Sequence, residues 1–352
     1  MPITIVKSVA GSGKTKYVID KALEINTKIL IVTFTNANKE QLTSRLIKQN
    51  SFLPKNIDIM TWLEFLYKHL AKPYSNLFEK DLSFEGVELK VEPKNEKGVN
   101  KTNSKWYKYE KNNKIYKNRL SEFCSIMFEK SNFPVERLSK IYTHLFVDEA
   151  QDLCGYDYEI VKKLIESQIE IILVGDPLQN TYNTHNTTKN NQYKDIFEFL
   201  ESKNIHHKKE HLASSYRCTK NVCDYINTLW TSLIIQSAKH SCESSITLVT
   251  DDNIEQFIAE NNNITALIYD KTHKNEVDNR ITRIYNIGES KGLEFENVII
   301  YGTKNMVIAC KNKNVNNLQS KTKNLLYVAL TRSKNNVGVY IGNENESESL
   351  FD

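Results

Sequence analysis

Short apolar runs recur along the chain, and stretches with apolar residues at three- and four-residue spacing follow several of them. Such runs are typical of buried strands, and the spacing is typical of amphipathic helices. Strands that alternate with helices form parallel sheets, because each helix carries the chain back across the sheet. The sequence therefore predicts an α/β fold with parallel sheets. The predicted strands are 3–6, 29–32, 57–60, 145–147, 169–174, 246–249, 265–268, 297–301 and 337–341.

The first run leads into a loop with two glycines, Ala10-Gly11-Ser12-Gly13-Lys14-Thr15. Glycines let backbone N–H groups approach a polyphosphate, and the helix predicted to follow points its positive N-terminus at the same charge. In such a loop Lys14 contacts the β- and γ-phosphates, and Thr15 offers its hydroxyl to Mg²⁺. Position 8 is Ser where the usual pattern has glycine, so an ordinary Gly/Ser turn is the alternative. Helical spacing of apolar residues over 15–26 favours the phosphate-binding loop.

Composition is that of a globular chain of two domains, with 352 residues, 40% hydrophobic and 26% charged. The six cysteines include no Cys-x-x-Cys pair, which indicates neither a zinc site nor a disulfide framework. No charged and apolar leader opens the sequence and no apolar run reaches membrane-spanning length, so we expect a cytoplasmic protein without a membrane partner. Few of the basic residues are arginines. The planar guanidinium of arginine can bind two phosphate oxygens at once. We therefore expect arginines at positions where a phosphate must be held in a fixed orientation.

Polar residues follow three more of the predicted strands, at the sheet edge where α/β proteins bind ligands. The adjacent carboxylates of Asp148 and Glu149 end one strand. Beside a phosphate loop, Asp148 would hold Mg²⁺ through water, and Glu149 would orient and deprotonate the attacking water. Gln179 follows the next strand, where it is placed to sense a γ-phosphate. Phe34 ends another strand among polar residues, and core packing is its alternative role.

Residues 71–134 differ in character from the sequence on either side. Lysines recur at short intervals between Lys90 and Lys117, with Trp106 and three tyrosines among them. This combination suits a nucleic-acid strand, because cations contact phosphates and aromatic rings stack on bases. A solvated surface insertion is the alternative.

A series of motifs in a fixed order resembles the motifs of UvrD/Rep-type superfamily 1 DNA helicases, and the resemblance runs from about residue 3 to residue 341. After the glycine loop come Thr33-Phe34-Thr35-Asn36, Asp148-Glu149-Ala150-Gln151-Asp152 and Gly175-Asp176-Pro177-Leu178-Gln179. In the second half come Ser215-Tyr216-Arg217, Ser290-Lys291-Gly292-Leu293-Glu294-Phe295 and Tyr327-Val328-Ala329-Leu330-Thr331-Arg332.

The resemblance implies roles for these residues. Arg217 and Arg332 match arginine fingers, which stabilise transition-state charge on the γ-phosphate. Tyr216 matches a tyrosine that stacks on adenine, and Glu294 matches a contact on the ribose side. The positions that match contacts with single-stranded DNA are Phe34, Thr35, Asn36, Trp62 and Lys291.

The resemblance also implies two RecA-like domains that bind ATP and Mg²⁺ in the cleft between them. We expect the first domain at 1–70 and 135–207, interrupted by the basic insertion 71–134, and the second domain at 208–352. Family members usually carry a large accessory insertion between the motif that matches Ser215-Tyr216-Arg217 and the motif that matches 290–295. Here the interval 218–288 holds only enough residues to continue the second α/β domain.

One sequence departure concerns DNA binding. The family usually continues from Gln179 to an Arg-Trp pair, whereas this chain has Asn180-Thr181-Tyr182-Asn183-Thr184-His185. One stacking platform for bases is therefore expected to be absent or moved.

The sequence favours a DNA-dependent ATPase that moves along single-stranded DNA, in the 3′ to 5′ direction by resemblance. Its expected partner is single-stranded DNA or a junction between single- and double-stranded DNA. A motor subunit of a nuclease or defence complex, which needs a partner protein, is one alternative. A nucleotide-gated nucleic-acid-binding module with little turnover is the other. The carboxylate at Glu149 argues against the last, because a pure binder needs no residue to activate water.

Overall fold

The computed structural model of the chain describes residues 3–92, 99–181, 188–239 and 244–343. The chain divides into two compact units. The first unit comprises Met1–Lys7, Lys14–Gly175 and Tyr182–Glu210, and the second comprises Ser8–Gly13, Asp176–Thr181 and His211–Asp352. No helix among the described residues is long and apolar enough to cross a membrane.

The first unit alternates strands and helices from its first residues. Its elements are β1 (Ile3–Ser8), α1 (Lys14–Leu23), β2 (Ile29–Thr33), α2 (Asn36–Asn50), β3 (Ile57–Thr61), α3 (Trp62–Phe65), α4 (Lys72–Tyr74), β4 (Gly86–Glu88), α5 (Ser104–Tyr107), β5 (Lys108–Tyr109), β6 (Lys114–Tyr116), α6 (Lys117–Lys130), α7 (Phe133–Ile141), β7 (His144–Asp148), α8 (Asp157–Ile165), β8 (Glu170–Gly175), α9 (Ile196–Ser202) and β9 (His207–Leu212).

A six-stranded sheet in the order β3-β2-β7-β8-β1-β9 organises this unit. The pairings β3–β2, β2–β7, β7–β8 and β8–β1 are all parallel. Every residue of β2 is buried, as expected of a strand covered on both faces. The predicted parallel α/β fold is confirmed for this part of the chain, and it brings the carboxyl ends of β1, β2, β7 and β8 to one edge.

The basic insertion packs as part of the first unit. Its short strands form a sheet in the order β4-β6-β5, and its buried side chains Tyr107, Ile115 and Phe123 belong to the same apolar core as Val32 and Leu145 of the large sheet. The expectation of a distinct inserted subdomain over 71–134 does not match this shared core. The difference arises because α6 buries one face against α8 and against the helical segment Leu66–Ala71 of the same unit.

The aromatic residues of the insertion mostly serve packing. Tyr107 is fully buried, so the prediction that it contacts nucleic acid is wrong. The Trp106 ring lies 3.4 Å from the guanidinium carbon of Arg119, and its Nε1 donates to Glu122 at 2.9 Å. Several lysines remain on the surface, among them Lys101, Lys105, Lys111 and Lys117, whereas Lys94 and Lys97 lie outside the described residues.

The second unit contains a smaller α/β arrangement. Its elements are β10 (Ser214–Ser215), α10 (Lys220–Leu229), β11 (Gln236–Ser237), β12 (Ile246–Thr250), α11 (Ile254–Glu260), β13 (Ile264–Ile268), β14 (Arg283–Asn286), β15 (Asn297–Tyr301), α12 (Lys304–Lys311), α13 (Ser320–Leu330) and β16 (Val337–Gly342).

A five-stranded parallel sheet in the order β12-β16-β15-β13-β14 forms the centre of this unit. The described part of the interval 218–288 contains α10, α11, a 3₁₀ helix (Lys271–Glu276) and four strands of the unit, among them the strands predicted at 246–249 and 265–268. The described part of this interval therefore has no accessory insertion beyond the α/β arrangement.

Two short segments group differently from the predicted domains. Residues 8–13 and 176–181 belong to the second unit, and that unit otherwise begins at His211 and not at 208. Hydrogen bonds explain the first grouping, because Val9 N–H donates to the Leu212 carbonyl at 3.0 Å and Tyr216 N–H donates to the Gly11 carbonyl at 2.9 Å.

Candidate active site

The glycine loop has the backbone geometry that a phosphate ligand needs. Gly11 and Gly13 have φ values of +72° and +82°, which glycine adopts without strain. Helix α1 begins at Lys14 directly after the loop, so its N-terminal N–H groups face the loop. The Ser12 hydroxyl is buried and has no hydrogen-bond partner among the described residues. A buried, unsatisfied hydroxyl in this position fits a phosphate oxygen that the loop would receive.

Within the second unit the loop is held by two segments distant in sequence. The Ala10 N–H donates to the Tyr327 hydroxyl at 3.0 Å. A Cβ atom at position 11 would lie 2.6 Å from the Cβ of Arg217 and 2.7 Å from the Ser215 hydroxyl. Glycine is therefore required at position 11 for two reasons, its positive φ and this close approach.

Two carboxylates lie at the carboxyl end of β7. Asp148 is the last residue of the strand and is 3% exposed, and its Oδ1 accepts from the Glu149 N–H at 3.0 Å. Glu149 has a left-handed backbone with φ 57° and ψ 39°. A non-glycine residue in this conformation stores strain, which is typical of functional positions. The Gln151 amide donates to Oε2 of Glu149 and so fixes its carboxylate.

Burial, together with the neighbouring carboxylate of Glu149, raises the pKa of Asp148 to about 7. Lys14 acts in the opposite direction, because its positive charge favours the ionised form of Asp148. The lysine of the loop and the acid of β7 are thus close enough to interact electrostatically.

Gln179 is positioned by an acidic neighbour in the second unit. Its Nε2 donates to Oδ2 of Asp176 at 2.7 Å, and Gln179 is 4% exposed. The same Asp176 oxygen accepts from the Tyr327 hydroxyl at 3.3 Å. Tyr327 therefore connects the glycine loop, through Ala10, to the turn that carries Gln179.

Arg332 is a fully buried cation held by neutral groups. Its guanidinium donates to the carbonyls of Val328 at 3.1 Å and Leu293 at 3.3 Å, and to the Thr331 hydroxyl at 3.3 Å. No carboxylate among the described residues forms an ion pair with it. Burial and the positive charge of Arg217 lower the pKa of Arg332 to about 9. A buried cation whose charge is not neutralised favours an anionic ligand.

Arg217 is paired with Glu294 in this structure. Its Nε and Nη2 donate to Oε1 of Glu294 at 3.0 and 2.8 Å, and its Nη1 donates to the Thr331 carbonyl at 3.1 Å. Burial alone would raise the pKa of Glu294, but Arg217 and Lys334 hold it below its usual value. Glu294, which matches a ribose contact of the family, is therefore paired in this structure with Arg217, which matches an arginine finger.

Tyr216 precedes Arg217 and presents its ring to solvent. It is 69% exposed, the largest exposed fraction among the large apolar residues of the described chain. Because its N–H binds the Gly11 carbonyl, the ring stands close to the glycine loop. An exposed aromatic ring at this position is suited to stack on a base.

The candidates for DNA contact at the end of β2 keep polar surface. Thr35 and Asn36 are exposed, and Phe34 is half-buried. The Thr35 hydroxyl also caps α2, since it accepts from the Asn38 N–H at 3.1 Å. Lys291 lies in the second unit and is half-buried.

Trp62 does not fit its predicted role as a DNA contact. The residue is 3% exposed, and its indole N–H donates to Oδ1 of the buried Asp157 at 2.8 Å. Its ring stacks on Phe34 with centroids 6.5 Å apart and an interplanar angle of 20°. Trp62 therefore supports Phe34 from inside the core and offers no face to a base in this structure.

Two protein families match large parts of the chain. Residues 127–341 match the viral superfamily 1 RNA helicase core domain, and residues 1–185 match the AAA domain. The chain belongs to the superfamily 1 helicases, and it is of the UvrD/Rep type.

Curated relatives of this helicase include DNA helicases of bacteria. The chain is 22% identical to a probable DNA helicase II homolog of Mycoplasma genitalium, over 86% of the chain and 50% of the relative. It is 28% identical to the ATP-dependent DNA helicase Rep of Buchnera aphidicola, over 62% of the chain and 41% of the relative. The chain thus spans about half the length of the curated relatives it matches, or less.

A solved structure of an Arterivirus helicase, nonstructural protein 10 in complex with DNA, has a similar fold. It covers 96% of this chain and 61% of the viral chain, with a TM-score of 0.51 and 14% sequence identity. At 14% identity this likeness shows only that the two proteins share a fold.

Three residues that position the helicase site were not assigned roles from the sequence. Gln151 holds Glu149, Asp176 holds Gln179, and Tyr327 contacts both Ala10 and Asp176. Their signal was present, because all three lie inside the quoted motifs. The motifs do not say which contact each residue makes. The longest of these contacts, between Ala10 and Tyr327, joins residues 317 positions apart.

The residues expected to hold Mg²⁺ are Thr15, in the first turn of α1, and Asp148. Among the described residues no group of three or more His, Cys, Asp or Glu side chains is arranged to hold a metal ion. Mg²⁺ bound through one carboxylate, one hydroxyl, waters and substrate phosphates does not need such a group. The sequence departure at Tyr182-Asn183-Thr184-His185 lies outside the described residues.

Proposed function

We propose that this helicase is a DNA-dependent ATPase that moves along single-stranded DNA. The observation that carries the proposal is the pair of carboxylates at the end of β7. Glu149 has a strained backbone and a carboxylate fixed by Gln151, next to the buried Asp148. Water activation requires a carboxylate held in this way, and nucleotide binding alone does not.

The glycine loop is the proposed site of the ATP phosphates. The positive φ values of its glycines, the start of α1 at Lys14 and the unsatisfied Ser12 hydroxyl all suit a polyphosphate. Lys14 would contact the β- and γ-phosphates, and the exposed Tyr216 ring would stack on the base. Mg²⁺, when bound, would neutralise phosphate charge, and Thr15 and Asp148 are the residues that would hold it.

Hydrolysis proceeds in this proposal by attack of a water on the γ-phosphorus, which breaks the bond to the oxygen bridging the β- and γ-phosphates and releases ADP and phosphate. Glu149 accepts the proton of that water, and Gln179 contacts the γ-phosphate. Arg332 stabilises the charge that develops, because its buried guanidinium forms no ion pair with a carboxylate of the described residues. Arg217 contributes when it exchanges Glu294 for a phosphate oxygen.

The DNA strand is proposed to contact the exposed end of β2, with Phe34 as a stacking ring and Thr35 and Asn36 as polar contacts. Stacking on one aromatic side chain contributes about 1–3 kcal/mol per base, so contacts of this kind bind DNA without reading its sequence. The family resemblance favours movement in the 3′ to 5′ direction.

Steady-state ATP hydrolysis with and without single-stranded DNA tests the proposal. We expect DNA to stimulate turnover, and Glu149→Gln to abolish it while leaving nucleotide binding intact. Turnover that DNA does not change would refute the DNA-dependent motor. Nucleotide binding with no turnover in the unchanged protein would instead favour the nucleotide-gated binding module.

A motor that works with a partner protein is the second candidate. It is favoured by the interval between α10 and β14, which contains no accessory insertion in its described part. A strand-displacement assay separates the two. The partner-dependent motor would be supported if the protein alone moved along single-stranded DNA without unwinding duplex, and if duplex unwinding appeared when a nuclease or other partner was added.

A further inference from the structure

The carboxylate of Glu294 has two cationic partners, one on each oxygen. Its Oε1 accepts from Nε and Nη2 of Arg217 at 3.0 and 2.8 Å, and its Oε2 lies 3.3 Å from Nζ of Lys334. Two positive charges thus meet one negative charge, so the group keeps an excess of positive charge. Glu294 can therefore give up one cation and still be paired with the other.

The backbone of Lys334 is held by contacts that do not involve the Arg217 side chain. The Phe295 N–H donates to the Arg332 carbonyl at 3.0 Å, and the Lys334 N–H donates to the Phe295 carbonyl at 2.8 Å. Nζ of Lys239 donates to the Lys334 carbonyl at 2.6 Å. These bonds keep Lys334 beside the segment that carries the carboxylate, whichever partner Arg217 has.

Arg217 has more to lose than Lys334 when it changes partner. Its side chain is 11% exposed, whereas that of Lys334 is 47% exposed. Arg217 also donates to the Thr331 carbonyl at 3.1 Å, on the same side of its guanidinium plane as no acid of this group. To bind a phosphate oxygen with Nε and Nη2, the guanidinium must leave Glu294. A partly buried carboxylate that loses its cation costs free energy, although solvent limits the amount. The lysine on the second oxygen lowers this cost, because Glu294 stays paired.

We propose that Lys334 is a positioning residue for Arg217 and acts through Glu294. When Arg217 moves from Glu294 to the γ-phosphate of a bound nucleotide, Lys334 keeps the carboxylate paired and in place. Lys334 itself contacts no part of the nucleotide. The inference rests on the proposed ATP site and deepens it, because it names the residue that lets the arginine leave its resting partner.

Nucleotide affinity tests this role without turnover. ADP is compared with the ATP analogue AMP-PNP, which has an imido bridge and is not hydrolysed, by isothermal titration calorimetry of the full chain with Mg²⁺. Both ligands carry the same adenosine, but only AMP-PNP has a γ-phosphate for Arg217 to bind. Lys334→Met removes the charge and keeps most of the side-chain length. Lys220→Met is the matched control, since it removes the same charge from an exposed pair with Asp224 at 3.1 Å in the same unit.

We expect Lys334→Met to weaken AMP-PNP binding about three- to fivefold, the size of one partly exposed ion pair, and ADP binding by less than about 1.5-fold. Lys334→Arg should restore the affinity for AMP-PNP, because arginine supplies the same charge. Lys220→Met should bind both nucleotides as the unchanged protein does. In an Arg217→Ala background Lys334→Met should have no further effect, because no cation is then exchanged at Glu294.

Three results would overturn the inference. Unchanged or tighter AMP-PNP binding by Lys334→Met would show that the lysine does not help Arg217 to leave Glu294. Equal weakening of ADP and AMP-PNP would assign the effect to the ribose side of the site. Weakening of AMP-PNP alone that persists in the Arg217→Ala background would make Lys334 a direct phosphate contact.

Steady-state ATP hydrolysis with and without single-stranded DNA separates the inference from the proposed function. If DNA stimulates hydrolysis but Lys334→Met binds AMP-PNP as the unchanged protein does, the function stands and the inference fails. If Lys334→Met loses affinity for AMP-PNP and not for ADP, but DNA does not stimulate the unchanged protein, the inference stands and the DNA-dependent motor fails.

Discussion

Replacing Asp157 by Ala should destabilise the first unit strongly, although the residue lies outside every recognised motif. Asp157 is fully buried at the start of α8. Its carboxylate accepts hydrogen bonds from three donors that are far apart or on different elements: Trp62 Nε1 at 2.8 Å, the Ser121 hydroxyl at 2.6 Å and the Cys154 N–H at 3.2 Å. The carboxylate thus joins the segment after β3, the insertion helix α6 and the start of α8.

The magnitude follows from the hydrogen bonds that are lost. A hydrogen bond to a charged group contributes about 1.5–3 kcal/mol, so losing the two buried ones, from Trp62 and Ser121, costs at least about 3 kcal/mol before the structure relaxes. For a unit of this size each kcal/mol lowers the melting temperature by about 2–4 °C, which gives a decrease of about 6–12 °C. Asp157→Asn should cost less, because Asn keeps one acceptor oxygen but turns an N–H group towards another donor.

Urea unfolding followed by circular dichroism and tryptophan fluorescence measures the effect. Glu166→Ala is the control, since Glu166 ends the same helix in an exposed pair with Lys163 at 2.8 Å and should change stability by less than about 0.5 kcal/mol. In a double-mutant cycle with Trp62→Phe, the two changes should not add, because they remove the same hydrogen bond. If Asp157→Ala unfolds at the same urea concentration as Glu166→Ala, the assigned role of this carboxylate is wrong.

Three further substitutions have defined outcomes. Gly175→Ala should lower stability by about 1–3 kcal/mol, because its Cβ would lie 2.5 Å from Oε1 of Gln151. It should also slow ATP hydrolysis, because Gln151 fixes Glu149, the carboxylate proposed to activate water. Thermal melting and steady-state turnover measure the two effects. Arg332→Lys should lower kcat by about 10³-fold or more with a smaller change in KM, since lysine lacks the fork that binds two carbonyls and a hydroxyl at once; ATPase kinetics measure it. Burial and the positive charge of Arg137 lower the pKa of His69 to about 4, so this residue should contribute less stability at pH 5 than at pH 7. The unfolded chain takes up the proton first as the pH falls below about 6.5, so in urea unfolding the stability of His69→Gln relative to the unchanged protein should be about 2 kcal/mol higher at pH 5 than at pH 7. The comparison with the variant isolates His69, because the raised pKa of Asp148 acts in the opposite direction over the same pH range.

Matched changes separate these effects from general damage. Gly86→Ala should be tolerated, because the nearest atoms to its Cβ would be side-chain carbons of Lys114 at 3.5 Å or more. Arg280→Lys should leave turnover unchanged, since Arg280 is an exposed partner of Asp278. If either control behaves like its counterpart, the local explanation for that counterpart is refuted.

The parallel sheets were predictable from the sequence because they depend on local pattern. Buried strands such as β2 and β15 are continuous apolar runs, and every residue of both is buried in the structure. The strands predicted at 246–249 and 265–268 match β12 and β13 to within one residue at each end. Such elements can be predicted from local sequence, because a continuous apolar run must be buried whatever the rest of the chain contains.

Side-chain roles were less predictable, because they depend on contacts between distant segments. Trp62 matches a family position that contacts DNA, yet a carboxylate 95 residues later binds its indole inside the core. The aromatic residues of the insertion show the same limit. The sequence places Tyr107 and Trp106 among lysines, where rings could stack on bases. In the structure Tyr107 is buried, and Arg119 covers Trp106. Periodicity gives no information on which distant partner will cover a ring.

The contacts of the glycine loop change how the motifs are understood as a group. As separate patterns they assign phosphate binding to one segment, γ-phosphate sensing to a second and arginine fingers to two more. In the second unit a chain of hydrogen bonds joins them, from the Ala10 N–H to Tyr327 and from Tyr327 through Asp176 to Gln179. The Tyr327 carbonyl accepts from the Thr331 hydroxyl at 2.8 Å, and the same hydroxyl accepts from Arg332 at 3.3 Å. Within the second unit, hydrogen bonds therefore connect the glycine loop with both Gln179 and Arg332. In the proposed motor this connection would be the route by which nucleotide binding acts on both residues.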